Sequence, residues 1–132
     1  MKEYVRRRIL ALFLLALAVA LLAACAGEGD PTEAVEAYLR AKVESDADEL
    51  AGLACNDFEA QAAQDALSFR SVRAQLDNLA CEKTGEDGDA ALVTCSGQIV
   101  AEYDGETRTQ DLSETTYRVI NDDGEWKICG AQ

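Results

Sequence analysis

Apolar and polar positions follow four successive regimes along the chain. Residues Ile9 to Leu22 form an unbroken apolar stretch behind the cations Lys2, Arg6, Arg7 and Arg8. After a short polar segment, Asp30-Pro31-Thr32-Glu33 reads as a helix start. The Asp can cap, the Pro suits the first helical position, and a Glu stands three residues after the cap. Val35, Tyr38, Leu39 and Val43 then recur at i, i+3, i+4 and i+8, one apolar stripe of an amphipathic helix. Ser45-Asp46 breaks that helix and caps a second, whose apolar face is Leu50, Leu53 and Ala54 and which ends near Cys55. Asn56-Asp57 opens a third, Ala-rich helix expected to run from about Phe58 to Phe69.

From Leu76 the period shortens. Turn signals stand at Gly85-Glu86-Asp87-Gly88-Asp89, Asp104-Gly105 and Asn121-Asp122-Asp123-Gly124, and Asp-Gly is a strong hairpin signal. Between them lie four runs that read as strands: 74–84, 90–103, 106–120 and 125–130. In the second, Val93, Cys95, Gly97, Ile99, Ala101 and Tyr103 alternate onto one face; in the fourth, Trp126 and Ile128 share a face. The expected class is α+β, with N-terminal helices packed on an antiparallel four-stranded meander.

The apolar stretch is short for a membrane-spanning helix, which needs roughly 20 residues. It closes on Leu22-Ala23-Ala24-Cys25, small residues leading to a cysteine, the pattern of a bacterial lipoprotein signal. A peptidase needs small residues at the scissile bond, and only a thiol can accept the lipid. The expected organisation is a signal peptide over 1–24, a lipidated Cys25 with a short linker over 25–30, and a single domain over 31–132. No Ser or Thr precedes the arginines and the stretch is very apolar, which favours the general secretory route over twin-arginine export. Ala26, not Asp, follows Cys25, so by resemblance to lipoprotein sorting there is no inner-membrane retention signal. The expected location is the cell membrane or outer membrane, lipid-anchored on the extracytoplasmic side.

Processing changes the charge balance. The chain carries 12 Lys+Arg and 25 Asp+Glu; residues 1–24 contain four of the cations and one of the anions, so the mature chain has net charge −16. Such a domain repels nucleic acid and anionic headgroups. The linker Ala26 to Asp30 spans about 17 Å when extended, at roughly 3.4 Å per residue, so the domain stays near the membrane. Cys55, Cys81, Cys95 and Cys129 remain once Cys25 is lipidated, an even number that suits two disulfides outside the cytoplasm. With no His and no C-x-x-C pair, a zinc site is disfavoured. The expected pairs are Cys81–Cys95, across the first hairpin, and Cys55–Cys129, joining helix layer to sheet. The hairpin pair needs either a three-residue loop at Asp87-Gly88-Asp89 or a bulge, because a two-residue Asp87-Gly88 turn leaves it one residue out of register.

The helical opening Ala34-Val35-Glu36-Ala37-Tyr38-Leu39, the Ser45-Asp46-Ala47-Asp48 break, the closing hairpin and the ending Gly124-Glu125-Trp126-Lys127-Ile128-Cys129 together resemble small lipoproteins of the nuclear-transport-factor-2-like superfamily, the cystatin-like cone. The resemblance covers about Pro31 to Gly130. It implies a sheet curled around a helix with a pocket at its wide end, a scaffold that serves isomerases, dehydratases and non-catalytic binding proteins alike.

Candidate chemistry is thin. An isomerase-like pocket needs a carboxylate base and a Tyr or protonated Asp acid, for which Tyr38, Tyr103, Tyr117 and Asp111 are the candidates. The lack of His excludes a His-Asp dyad. The acidic turns Glu86–Asp89 and Asn121–Glu125 do not match the alternating ligand spacing of a calcium loop and are explained as hairpin turns. Disulfide pairing takes up every thiol a nucleophile would need. Trp126, two residues after a turn, is expected to pack between sheet and helix rather than mark a contact. The reading is a non-enzymatic, acidic binding or scaffold domain with no cofactor. Its partners are the membrane through the anchor and a small-molecule ligand or envelope protein. The alternative is a pocket isomerase or dehydratase using an enclosed Asp/Tyr pair.

Overall fold

The computed structural model describes residues 29–132 continuously, with Met1 and Glu3 the only positions described before them. Cys25, the expected lipidation site, lies outside the described residues.

The first helix of the continuously described segment, α1 (Pro31–Glu44), begins as its residues dictate. The Asp30 carboxylate accepts from the Thr32 backbone N–H at 2.9 Å and Pro31 takes the first turn. It ends on Ser45 in the left-handed region (φ 57°), whose N–H returns to the carbonyls of Ala41 and Lys42. Val35, Tyr38 and Leu39 are fully buried on the stripe expected for them, with Ala34 and Ala41 beside them. Asp46 caps α2 (Ala47–Leu53), accepting from the Glu49 N–H at 3.0 Å, and Leu50 seals that helix onto α1. A 3-10 turn (Asn56–Phe58) leads into α3 (Glu59–Asp65). This third helix stops four residues before Phe69, although Phe69 is still buried, through a run of turns.

Five antiparallel strands follow: β1 (Arg73–Asp87), β2 (Ala90–Tyr103), β3 (Glu106–Asp111), β4 (Thr116–Asp122) and β5 (Glu125–Ala131). The sheet runs β1-β2-β4-β5, with β3 also paired to β2. The α+β class and the helices-on-sheet packing hold; two details differ. The run 106–120 is two strands rather than one, so the sheet has five strands, not four. A 3-10 turn (Leu112–Glu114) interrupts it, because Asp111 caps that turn by accepting from the Ser113 N–H at 2.8 Å and Leu112 drops into the core. As a result β3 pairs with the second half of β2 and β4 with the first half. The sheet also lies open rather than curled around a helix.

The core sits between the helices and one face of this sheet. Val93, Cys95, Ile99 and Ala101 of β2 face it, with Tyr117 and Val119 of β4 and Ile128 of β5. Fully burying each aliphatic side chain contributes roughly 1.5–3 kcal/mol, so the sheet face and the α1 stripe supply most of the driving force.

Two irregularities shape β1. Thr84 is an extra residue between the pairs Lys83↔Val93 and Gly85↔Leu92. The hairpin loop is the two residues Gly88-Asp89, and this bulge shifts the register by the one residue that brings Cys81 opposite Cys95. Further along, Asn78 and Leu79 together oppose Gly97, since Asp77 pairs with Gln98 and Ala80 with Ser96. Asn78 (φ 54°) and Gly97 (φ 98°) both adopt the left-handed side of backbone space to make this crossing.

Two disulfides are present. Cys81–Cys95 bridges β1 and β2 with Cα atoms 4.0 Å apart, and Cys55–Cys129 joins the segment after α2 to β5 with Cα atoms 5.3 Å apart. The second bridge is reinforced beside it. Ala54 makes a parallel bridge with Ile128, and the Cys55 N–H donates to the Ile128 carbonyl at 2.9 Å. No helix among the described residues is long and apolar enough to cross a membrane.

Candidate functional site

The densest polar cluster lies where α1 and α3 meet β4. Asp65, the last residue of α3, is the one buried charged residue among the described residues, with 8% of its surface exposed. Its Oδ2 accepts the Tyr38 hydroxyl at 2.7 Å; its Oδ1 accepts the Gln61 amide at 3.1 Å and the Lys42 ammonium at 3.2 Å. Tyr38 and Lys42 come from adjacent turns of α1, four residues apart, so both reach the same carboxylate. Gln61 stands one turn before Asp65 on α3. The cluster is therefore built by one helix face meeting another.

Beside it a pocket of about 270 Å³ is lined by Lys42, Phe58, Gln61, Asp65, Gln110 and Tyr117, together with Thr115 and the C-terminal Ala131 and Gln132. The Tyr117 ring centroid lies 6.4 Å from that of Tyr38. Burial, then the charge of Asp65, pushes the Tyr117 hydroxyl up to about 12. Tyr38 is raised further, by burial first and then by its hydrogen bond to Asp65. Both phenols are neutral donors at neutral pH.

Of the four residues considered from sequence, Tyr38 and Tyr117 meet at this cluster. Tyr103 and Asp111 do not. Tyr103 is half-buried on β2 under the Arg108 guanidinium, 5.3 Å from its centroid. Asp111 is fully exposed and serves as the cap of the 3-10 turn; its hydrogen bonds from Ser113 lower its pKa. Sequence reading missed Asp65 and Lys42. The available signal was an Asp on the same face of an Ala-rich helix as Ala62, itself buried.

The carboxylate at the centre of the cluster is fully engaged. Both oxygens of Asp65 already hold donors, one of them an ammonium, so the carboxylate is committed to joining α1 and α3. No buried side-chain N or O among the described residues lacks a hydrogen-bond partner. The pocket rim carries the Gln110 amide and the Tyr117 hydroxyl beside the engaged Gln61 and Lys42, over a Phe58 wall.

A second cleft, of about 610 Å³, lies along β5 beside the Cys55–Cys129 bridge and is lined by Asn56, Asp57, Arg118, Asn121 and Lys127 among others. Its cations are engaged within the fold. Arg118 donates to Asp87 at 3.0 Å, and Lys127 pairs with Glu125 at 3.2 Å and donates to the Gly52 carbonyl.

The acidic turns are closed by the chain itself. The Asn121 side chain accepts the Gly124 N–H at 2.9 Å, and Lys83 pairs with Glu86 at 2.6 Å. Among the described residues no three acidic or cysteine side chains converge in a way that would hold a metal ion. Trp126 is half-buried on the helix-facing side of β5, packed against the core, and its indole N–H donates to the Gly29 carbonyl just before α1.

Comparison of the chain with protein-family models, with curated proteins and with solved structures finds no match.

Proposed function

We propose that the chain is an extracytoplasmic lipoprotein, anchored to the cell membrane or outer membrane through Cys25, whose acidic domain is a non-catalytic binding or scaffold module. The observation that carries this reading is the cysteine pattern. All four cysteines of the domain are paired in two disulfides, which favours an oxidising compartment, and Cys25 is the one left over. That leftover thiol stands at the end of an apolar signal and needs no partner if it carries lipid. In this reading residues 1–24 are removed and the domain begins a few residues beyond the lipid. The order of helices followed by an antiparallel sheet supports the nuclear-transport-factor-2-like resemblance, although the sheet lies open where that resemblance implies a curl.

The site supports binding in preference to chemistry because its one enclosed carboxylate is already used to hold α1 to α3. The alternative of a pocket isomerase or dehydratase draws on the same group, Asp65 beside Tyr38 and Tyr117. It would require Asp65 to leave Lys42 and Gln61 before acting as a base.

Replacing the proposed anchor tests the reading. Cys25→Ala is expected to shift the protein from the membrane fraction to the soluble extracytoplasmic fraction or to leave it as an unprocessed precursor. A processed mutant that still sediments with membranes contradicts the anchor.

A further inference from the structure

Three features at one end of the molecule fix where the chain leaves the domain. Asp30 is held by its cap, accepting from the Thr32 N–H and the Thr32 hydroxyl at 2.9 and 2.8 Å. Gly29, one residue earlier, gives its carbonyl to the Trp126 indole, and a Cβ built on Gly29 would lie 4.0 Å from Trp126 Cδ1. Trp126 is itself immobilised. It packs on the core, pairs across the sheet with Asn121, and stands three residues before the bridged Cys129. The segment entering α1 is therefore tied to β5 as well as to its own helix.

We infer that Trp126 latches the tether and so sets the orientation of the domain, with the β4–β5 turn and the start of α1 facing the lipid headgroups and the β2–β3 hairpin pointing away. This rests on anchoring at Cys25. Three residues, 26–28, stand in sequence between Cys25 and the latched Gly29, and a fully extended chain from Cys25 to Gly29 spans about 14 Å. The β2 strand alone, 14 residues long, measures about 45 Å at roughly 3.3 Å per residue. The tether is thus too short for the far end to reach the bilayer unless the domain lies flat.

Charge opposes lying flat. The turns at the latched end carry Asp89, Asp122, Asp123 and Glu125, so that end stands off anionic headgroups at the length of the tether, and lying flat would bring the rest of the acidic domain against them as well. At the opposite end β3 is exposed along its whole length, and the end of α1 (Val43, Glu44) meets Val72, Arg73 and Glu102 in an open cleft.

Trp126 is the sole tryptophan of the chain, so it reports its own position. The lipidated full chain is reconstituted into zwitterionic vesicles whose headgroups carry a nitroxide. Because the latch holds Trp126 within the tether's short reach, its emission is expected to fall at least about twofold against nitroxide-free vesicles. With Trp126 kept in place, a coumarin-bearing amino acid substituted at Tyr103 reports on the hairpin end, and its emission is expected to change little. Inserting a flexible Gly/Ser segment between Ala26 and Gly27 is expected to relieve the Trp126 quenching. Vesicle-bound protein with unquenched Trp126, or with both reporters quenched alike, overturns the orientation. A chain that neither carries lipid nor sediments with vesicles overturns the anchoring reading, and the orientation with it.

Discussion

Replacing Gly97 with alanine is expected to cost about 3–5 kcal/mol of stability, combining the strain of a non-glycine residue at this backbone angle with overpacking. The position has no room for a side chain. A Cβ there would lie 2.5 Å from the carbonyl oxygens of both Asp77 and Asn78, and 2.7 Å from the Asn78 carbonyl carbon. Those atoms are backbone of the neighbouring strand at the bulge and cannot swing aside. The φ of 98° adds a second penalty. At roughly 4–8 °C per kcal/mol for a domain of this size, the melting temperature is expected to fall by about 12–40 °C, or the variant fails to fold. Gly52→Ala is the control. It sits inside α2 with nothing within 4 Å of an added Cβ, and is expected to be neutral or to stabilise by about 0.5–1 kcal/mol. Equal melting temperatures for Gly97→Ala and the parent would show that β1 and β2 do not cross as described.

Loss of the Cys55–Cys129 bridge is the second large effect. Its cysteines are 74 residues apart, and in the chain-entropy account closing such a loop stabilises by about 4.5 kcal/mol; the Cys81–Cys95 loop, with a separation of 14, gives about 3 kcal/mol. Cys129→Ser is therefore expected to destabilise more than Cys81→Ser, and more than any change to a surface acid. It also frees the contact that places Ala54 and Cys55 along the edge of β5, so that edge opens. Chemical denaturation of the two single variants orders them directly. Cys55→Ser should match Cys129→Ser, and the double variant should lose little more, because the second change breaks nothing left intact. An unchanged unfolding midpoint for Cys129→Ser would mean that Cys129 is not bridged in solution.

What the sequence shows and what it hides divides along the range of the interactions. The start of α1 is local: Asp30, Pro31 and Glu33 act within one turn, and the Val35–Tyr38–Leu39 stripe follows from helical spacing alone. The alternation of β2 is equally local, and Val93, Cys95, Ile99 and Ala101 all face the core. The break after Asp111 was also written locally, as a cap followed by Leu112, Ser113 and Glu114. It was masked because Thr and Gln on either side suit a strand. Gly97 fitted the β2 alternation as one more core-facing position. Its actual role depends on Asn78, nineteen residues earlier on another strand, although a glycine inside a strand pattern is itself a hint of a bulge. The bulge at Thr84 is of the same kind: the cysteine pairing required a loop or an extra residue, and spacing alone does not choose. The polar cluster is the least legible part. Lys42 and Asp65 belong to different helices, and only the tertiary fold brings them within 3.2 Å.

The central claim is that residues 1–24 are removed, that Cys25 carries lipid, and that the four remaining thiols are oxidised. The intact mass of the protein extracted from membranes of the producing cell, before and after reduction, addresses all three at once. The account predicts a chain beginning at Cys25, heavier than its sequence by an acylglycerol group and lighter by four hydrogens, which reduction restores. A mass that includes residues 1–24, or an unmodified Cys25 with free thiols in the domain, would contradict it.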